Sequence, residues 1–549
     1  MWSKISISPS LLMLGATGAV VAPMSAHAAD KAHKRPNILF CIADDATYEH
    51  WGAMGCGWVN TPSFDRVARE GVIYSNCYTP NAKSAPSRAC LLTGCYSWQL
   101  GEAGNHVCHF PEAIPVFTDV LTNHGYDVAY TCKGWGPGDP GTLPDGSKRL
   151  LTGRAFNKRK AVKPTSEINP NDYAANFHDF LEEHDAQQSQ KPWFFWYGPR
   201  EPHRRYEYGS GVGKGNKRLD MIKEVPGFWP DCDTVRTDLL DYAYEIEHFD
   251  DHIGRMMQEL EQRGELANTI IIITSDNGMP FPRAKGNNYE YSHHLPLVVM
   301  WKEGLKNPGR VEDGFVSFVD IAPTILNLAG ITPTRSEITM EGQSFSQNIT
   351  QASRKCFRSY TLLGRERHDN GRPNDTGYPI RGIRQGDWLY LWNAKADRWP
   401  AGNPETGYRD IDGSPTKTVI LNMYRKGRDV SQLNPGDLND YPGPDADTTY
   451  WHLSMGFRPE HELYNVKQDP YCLHNLAPEN EKKVNSLRKA LLKLLKREAD
   501  PRMGNDPDVF DRYPYDLPSR AGAYERVKQG ELQQEKKSAT WINPTDYSR

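Results

Sequence analysis

Ser84-Ala85-Pro86-Ser87-Arg88, continued by Ala89-Cys90-Leu91-Leu92-Thr93-Gly94, sets a hydroxyl, a proline two places on and an arginine four places on ahead of an apolar turn. Four-residue spacing puts Ser84 and Arg88 on one face of a helix opening there, so that a guanidinium stands beside a potential nucleophile. Asp44-Asp45 and Asp276-Asn277 are hard oxygen donors, each pair directly behind an apolar run. Carboxylate and amide oxygens in such a set suit Ca2+, which accepts them in flexible geometry. Either pair alone is better explained as a turn or a helix cap. His203, in Arg200-Glu201-Pro202-His203-Arg204-Arg205, follows a Pro turn among three arginines, a setting for an anionic pocket.

Such side chains need rigid supports. Asn37-Ile38-Leu39-Phe40-Cys41-Ile42-Ala43 is a continuous apolar run that predicts a buried strand ending in Asp44-Asp45, and Thr269-Ile270-Ile271-Ile272-Ile273-Thr274 predicts another ending in Ser275-Asp276-Asn277-Gly278. Two buried strands that deliver acidic residues at their C-terminal ends predict an α/β fold. Its core is a large, mostly parallel mixed sheet flanked by helices, with sites forming beyond the strand ends. Leu239, Tyr242, Ile246, Phe249, Ile253, Met256 and Leu260 recur at helical spacing and predict a long amphipathic helix that stops near Gly264.

This domain is expected over residues 35–375. A smaller C-terminal α+β subdomain follows over 376–503, with antiparallel strands such as Trp388-Leu389-Tyr390-Leu391-Trp392 and a helix marked by Val484, Leu487, Leu491, Leu494 and Leu495. Residues 504–549 are polar and Pro-punctuated, and read as a tail on the surface or partly disordered. At the other end, Lys4, a short apolar run and Ala26-His27-Ala28 form a signal peptide over residues 1–28, too short and weakly apolar for stable membrane insertion. The mature chain is therefore expected to be exported, most simply to a bacterial periplasm.

With 65 basic against 69 acidic side chains the net charge is −4, which gives no support to nonspecific nucleic-acid binding. The ten cysteines form no Cys-x-x-Cys pair and no His-Glu-x-x-His helix accompanies them, which argues against a zinc site; free buried thiols are expected.

The Ser84 segment resembles the active-site signature of formylglycine-dependent sulfatases of the serine type, in the alkaline phosphatase superfamily. Further landmarks of that family are Thr61-Pro62-Ser63-Phe64-Asp65-Arg66, Phe318-Val319-Asp320-Ile321-Ala322-Pro323-Thr324 and Arg458-Pro459-Glu460-His461-Glu462-Leu463-Tyr464-Asn465. Through Ser275-Asp276-Asn277-Gly278-Met279-Pro280-Phe281-Pro282 and Glu201-Pro202-His203-Arg204 the chain is most similar to N-sulfoglucosamine sulfohydrolases. The resemblance implies that Ser84 is oxidised to formylglycine (3-oxoalanine) by a radical-SAM maturation enzyme. It also implies that Asp44, Asp45, Asp276, Asn277 and the modified Ser84 hold Ca2+. Ser84 would act with Arg88, Lys133, His203 and Lys285 as the catalytic set, Lys285 lying nine residues past Asp276.

The chain departs from the pattern at Trp135, where many sulfatases have a histidine that serves as base; His106 or His109 is a candidate to replace it. Trp135 would then stack on a sugar ring. Arg204, Arg367 and His368, with Arg205, Arg365 and Arg381, are expected to read neighbouring charges of a sulfated oligo- or polysaccharide. The resemblance thus implies hydrolysis of N-sulfo or O-sulfo groups from a sulfated glycan, heparan-type N-sulfate first and an O-sulfate of another polysaccharide second. A phosphate or phosphonate monoester hydrolase on the same fold, and a silent sulfated-glycan-binding protein, are the rival readings.

Overall fold

The computed structural model describes residues 34–187, 191–427 and 442–531. The expected signal peptide and residues 532–549 of the expected tail lie outside the described residues.

The large sheet contains Asn37–Ala43 (β1), Val72–Tyr74 (β2), Asp127–Cys132 (β3), Arg154–Ala155 (β4), Trp193–Gly198 (β5), Thr269–Ser275 (β6), Leu297–Met300 (β7) and Arg310–Glu312 (β8). Their order is β8-β2-β7-β6-β1-β5-β3-β4. β1 runs parallel to both β5 and β6, β3 continues the parallel set, and β7 alone runs against its neighbours. Both apolar runs are thus central strands, buried on two faces, which is why they show no polar alternation.

The two faces divide by residue parity. Leu39, Cys41, Phe195, Tyr197, Ile271 and Ile273 point into one core, Ile38, Phe40, Phe194, Trp196, Ile270 and Ile272 into the other. Helices cover both: Pro62–Glu70 (α1), Ser84–Thr93 (α2), Phe117–Asn123 (α3), Tyr173–Ala186 (α4), Asp233–Gln262 (α5) and Ile321–Leu328 (α6). α1, α4 and α5 pack on the first face and α2, α3 and α6 on the second. All seven periodic residues predicted for the long helix are buried along α5.

Register fixes the site. Ala43 pairs with Ser275, so Asp44 and Asp276 leave the sheet side by side at its C-terminal edge. Asp276 N–H donates to the Ala43 carbonyl at 3.1 Å, and Asp44 N–H to the carbonyl of Glu201, in the loop beyond β5, at 3.1 Å.

Tyr360–Arg365 (β9), Ile380–Gln385 (β10), Trp388–Asn393 (β11) and His461–Asn465 (β12) form a second, antiparallel sheet in chain order. Glu481–Arg497 (α7) covers one face with Val484, Leu487, Leu491 and Leu495. The other face packs Leu363, Ile380 and Leu389 against Tyr78, Tyr289 and Phe315 of the larger part. The boundary read at residue 375 falls inside this sheet, because β9 precedes it.

The tail reading also needs correction up to residue 531. Phe510 is buried in the same core as α7, and Asn105 Nδ2 donates to its carbonyl at 3.0 Å. Asp516 N–H donates to the Val107 carbonyl at 3.1 Å. Polar composition misled here because the segment is held by backbone groups and a few apolar anchors rather than by an amphipathic period. Phe510→Ala is therefore expected to cost about 3–5 kcal/mol, seen as a lower urea midpoint; unchanged unfolding would restore the loose-tail reading.

Candidate active site

Ser84 is the first residue of α2, and every residue of this helix is buried. Its far end is closed by Gly94 in the left-handed conformation, φ 67°, donating its N–H to the Cys90 carbonyl. Arg88 Nε donates to Asp276 Oδ2 at 2.8 Å, and Nη1 to the carbonyls of Gly134 at 2.7 Å and Lys133 at 3.2 Å. Its Nη2 lies 3.5 Å from Asp44 Oδ1 and makes no hydrogen bond to protein. One fully buried guanidinium thus joins α2, the end of β6 and the loop after β3.

Asp44, Asp45 and Asp276 each bring an oxygen within 4.8 Å of the other two. Asp45 holds φ 78°, a left-handed conformation that costs a non-glycine residue about 1–3 kcal/mol, and its N–H donates to Asp276 Oδ1 at 3.0 Å. Asn277 Nδ2 donates to Asp45 Oδ1 at 2.7 Å, which leaves the buried Asn277 Oδ1 with no protein donor. The next residue must be glycine: a Cβ on Gly278 would lie 1.8 Å from the Tyr291 carbonyl oxygen. Three carboxylates and an unpartnered amide oxygen are the donor set that fits Ca2+.

Cations close the pocket. Lys133 Nζ lies 2.6 and 2.7 Å from the Asp44 oxygens and 3.1 Å from Ser84 Oγ, while Ser84 Oγ donates to Asp44 Oδ1 at 3.0 Å. Lys285 Nζ lies 2.5 Å from Asp45 Oδ2 and 3.3 Å from Asp412 Oδ2. Burial opposes the charge on Asp44, but Lys133, aided by His203 and Arg88, outweighs burial and Asp45 and holds the carboxyl well below the usual range. Burial likewise opposes the charge on Lys285, and Asp412, Asp45 and Asp44 override it and raise its pKa. His203 Nδ1 donates to the Arg204 carbonyl at 2.6 Å, which fixes the ring and turns Nε2 toward Asp45 Oδ2 at 3.8 Å.

Nine of the expected residues therefore meet in one place: Asp44, Asp45, Ser84, Arg88, Lys133, His203, Asp276, Asn277 and Lys285. Trp135 stands beside them, but its indole N–H is tied to the Ala85 carbonyl at 3.0 Å and its ring meets Phe110 edge-on. His368 is buried, its Nε2 2.9 Å from Asn81 Oδ1.

Of the expected sugar-reading arginines, Arg205 is exposed, its Nε 3.7 Å from Glu167 Oε2, and the other four are elsewhere. Arg204 makes a bidentate pair with Asp238 at 2.7 and 2.8 Å and lies over the rings of Tyr206 and Phe281. Arg367 donates to the carbonyls of Tyr513 and Pro514 at 2.6 and 2.7 Å, clamping the C-terminal segment. Arg365 pairs with Asp410, and Arg381 with Glu366 and Asp500. A buried guanidinium must be matched inside the fold, so none of these four is available to substrate. His109 pairs with Glu112 at 3.1 Å, whereas His106 faces Asp369, Nδ1 to Oδ1 3.7 Å.

Sequence reasoning missed Lys83, Asp369 and Asp412. Lys83, the residue before the helix, is buried and lies 2.9 Å from Asp369 Oδ2. Its position next to Ser84 was the one available signal; the two aspartates lie in Gly- and Pro-rich loops without spacing to mark them.

The profile of the Sulfatase family matches residues 36–331. An Ulvan-active sulfatase of Formosa agariphila is 28% identical over 84% of this chain and 75% of its own length. The human N-sulphoglucosamine sulphohydrolase is 26% identical over 85% of this chain and 91% of its own. Among solved structures, a protein in complex with its substrate D-glucosamine-2-N,6-O-disulfate superposes with a TM-score of 0.58 at 20% identity, covering 86% of this chain and 99% of that one.

Arg204→Ala should leave the buried Asp238 without its cation and held only by Thr416, a loss of about 3–5 kcal/mol, and lower the melting temperature with little change in KM. A tenfold rise in KM at unchanged stability would return Arg204 to the substrate pocket.

Proposed function

The chain belongs to the sulfatase family, and on that premise we propose that it removes sulfate from a sulfated glycan, with Ser84 as the precursor of the formylglycine that this family uses. The observation that carries this reading is the placement of Ser84 Oγ, 3.0 Å from Asp44 and 3.1 Å from Lys133 Nζ, within the pocket of three carboxylates and Asn277. Asp44, Asp45, Asp276 and Asn277 would hold Ca2+, which supplies Lewis-acid stabilisation of negative charge on oxygen. A hydrated aldehyde at position 84 supplies two hydroxyls, one to attack sulfur and one to expel sulfate; an unmodified serine ester has no such internal release.

The remaining work falls to side chains already in place. Lys133 and Lys285 neutralise charge on the transferring sulfate, a preorganised electrostatic contribution in a buried site. His203, its Nδ1 occupied by a carbonyl, offers Nε2 to donate a proton to the leaving group. Arg88 fixes the geometry and keeps one N–H group free toward Asp44. A glucosamine N-sulfate is the first substrate to test, supported by the near-complete coverage of the human N-sulphoglucosamine sulphohydrolase; O-sulfated sugars follow, as the Ulvan-active relative indicates. Oxidation of Ser84 would require a radical-SAM maturation enzyme, and the leader read over residues 1–28 would direct the chain to the periplasm. Among the described residues no helix is long and apolar enough to cross a membrane.

Peptide mass spectrometry of protein from its native host should show Ser84 lighter by about 2 Da, the loss of two hydrogens on oxidation of an alcohol to an aldehyde. Ser84→Ala should reduce turnover of a sulfated sugar by about a thousandfold or more. An unchanged serine in active protein would overturn the assignment. Chelation should abolish activity and lower the melting temperature, because an ion bound only by the native state stabilises it; retained activity after exhaustive chelation would remove Ca2+ from the reading.

A further inference from the structure

Four of the arginines expected to read a polyanion, Arg204, Arg365, Arg367 and Arg381, are committed inside the fold, and beside the lysines of the site stand two partly exposed carboxylates, Asp369 and Asp412. Asp412 is joined to the centre by Lys285, whose Nζ bridges Asp45 Oδ2 and Asp412 Oδ2. Asp369 is joined to it by Lys83, the residue before Ser84, whose Nζ lies 2.9 Å from Asp369 Oδ2. The segment after Lys285 closes the same side, Gly286 N–H donating to the Ala82 carbonyl at 3.0 Å.

Both carboxylates keep a side open. The side chains of Asp369 and Asp412 are 20% and 27% exposed, against 0–2% for Asp44, Asp45 and Asp276. They are anchored by lysines and still reachable. Their charge also limits what the pocket tolerates: Lys83, Arg88, Lys133 and Lys285 face five carboxylates, Asp44, Asp45, Asp276, Asp369 and Asp412. A carboxylate that meets a sugar accepts hydrogen bonds from hydroxyls and repels sulfate.

We propose that Asp369 and Asp412 set substrate choice, accepting hydrogen bonds from hydroxyls next to the sulfated position and excluding a second sulfate or carboxylate there. This rests on the sulfatase reading and specifies its substrate class: a sugar residue bearing a single sulfate, with free hydroxyls beside it. It replaces the expectation that Arg204, Arg365, Arg367 and Arg381 read neighbouring charges of the glycan.

The test compares glucosamine N-sulfate with glucosamine N,3-O-disulfate, in Ca2+-containing buffer. Binding is measured by calorimetry on the Ser84→Ala protein with and without Asp412→Asn, and kcat/KM is measured on the corresponding proteins that retain Ser84. The monosulfate should be favoured by about tenfold or more, and Asp412→Asn should cut that discrimination about tenfold by admitting the disulfate, the scale of one hydrogen bond to a charged group. Asp369→Asn should act in the same direction; because Asp369 also holds Lys83, its melting temperature is compared with that of the parent. Equal binding of the two sugars, binding of neither, or a ratio unmoved in both variants would overturn the proposal. A preserved binding ratio without turnover of either sugar would instead sink the sulfatase reading and leave the selectivity standing.

Discussion

Three carboxylates held within 4.8 Å of one another are the constraint around which this molecule is built. At that separation and an effective dielectric near 20, each pair repels by about 3 kcal/mol. Three such pairs rival the whole net stability of a typical domain, about 5–15 kcal/mol. The sheet cannot relieve the strain, because the pairing of Ala43 with Ser275 sets Asp44 and Asp276 side by side whatever their charges prefer. Counter-charge must therefore come from elsewhere in the chain. Arg88 brings it from α2, Lys133 from the loop after β3 and Lys285 from the loop after β6. Each cation fixes an element, so the electrostatic need and the tertiary structure are met by the same contacts.

The same logic explains where the other arginines went. Arg204 with Asp238, Arg365 and Arg372 with Asp410, and Arg381 with Glu366 and Asp500 are buried pairs that hold loops against the body. Breaking such a pair exposes one partner to an unmatched interior, which makes it a strong determinant of geometry even where its net contribution to stability is small. The Asp410 pairs matter most for the site, because they anchor the loop that presents Asp412 two residues later. The selectivity proposed for Asp412 would in this sense be supported by buried ion pairs.

What the sequence revealed and what it hid divide along physical lines. The central strands, α5 and the metal-type donors were legible because each leaves a local mark: unbroken apolar runs, helical period, and acidic pairs directly behind strands. Ser84 and Arg88 were legible because a helix fixes four-residue neighbours. The fates of Arg204 and Arg367 were not, since an arginine reads alike whether it faces water, a ligand or a buried aspartate fixed by a distant element. Asp369 and Asp412 were hidden for the converse reason: they lie in irregular loops, and only tertiary closure brings them to Lys83 and Lys285. The packing of Phe510 escaped notice because one aromatic in a polar stretch carries no period.

Lys83 shows how closely Ser84 and Asp369 are coupled. It precedes Ser84 without a break, its ammonium is buried, and its partner is Asp369 at 2.9 Å. Burial opposes the charge on Asp369, and Lys83 and His106 overcome it and hold the carboxyl well below its ordinary range. Any displacement of Asp369 by a poorly fitting sugar must then pull on the residue that starts α2. On the proposed reading, a substrate that satisfies Asp369 would leave Ser84 undisturbed between Asp44 and Lys133, whereas one that repels it would strain the backbone at Ser84. Recognition at the rim and positioning at the reacting centre thus share one covalent link, through which a misfit would be felt in turnover as well as in affinity.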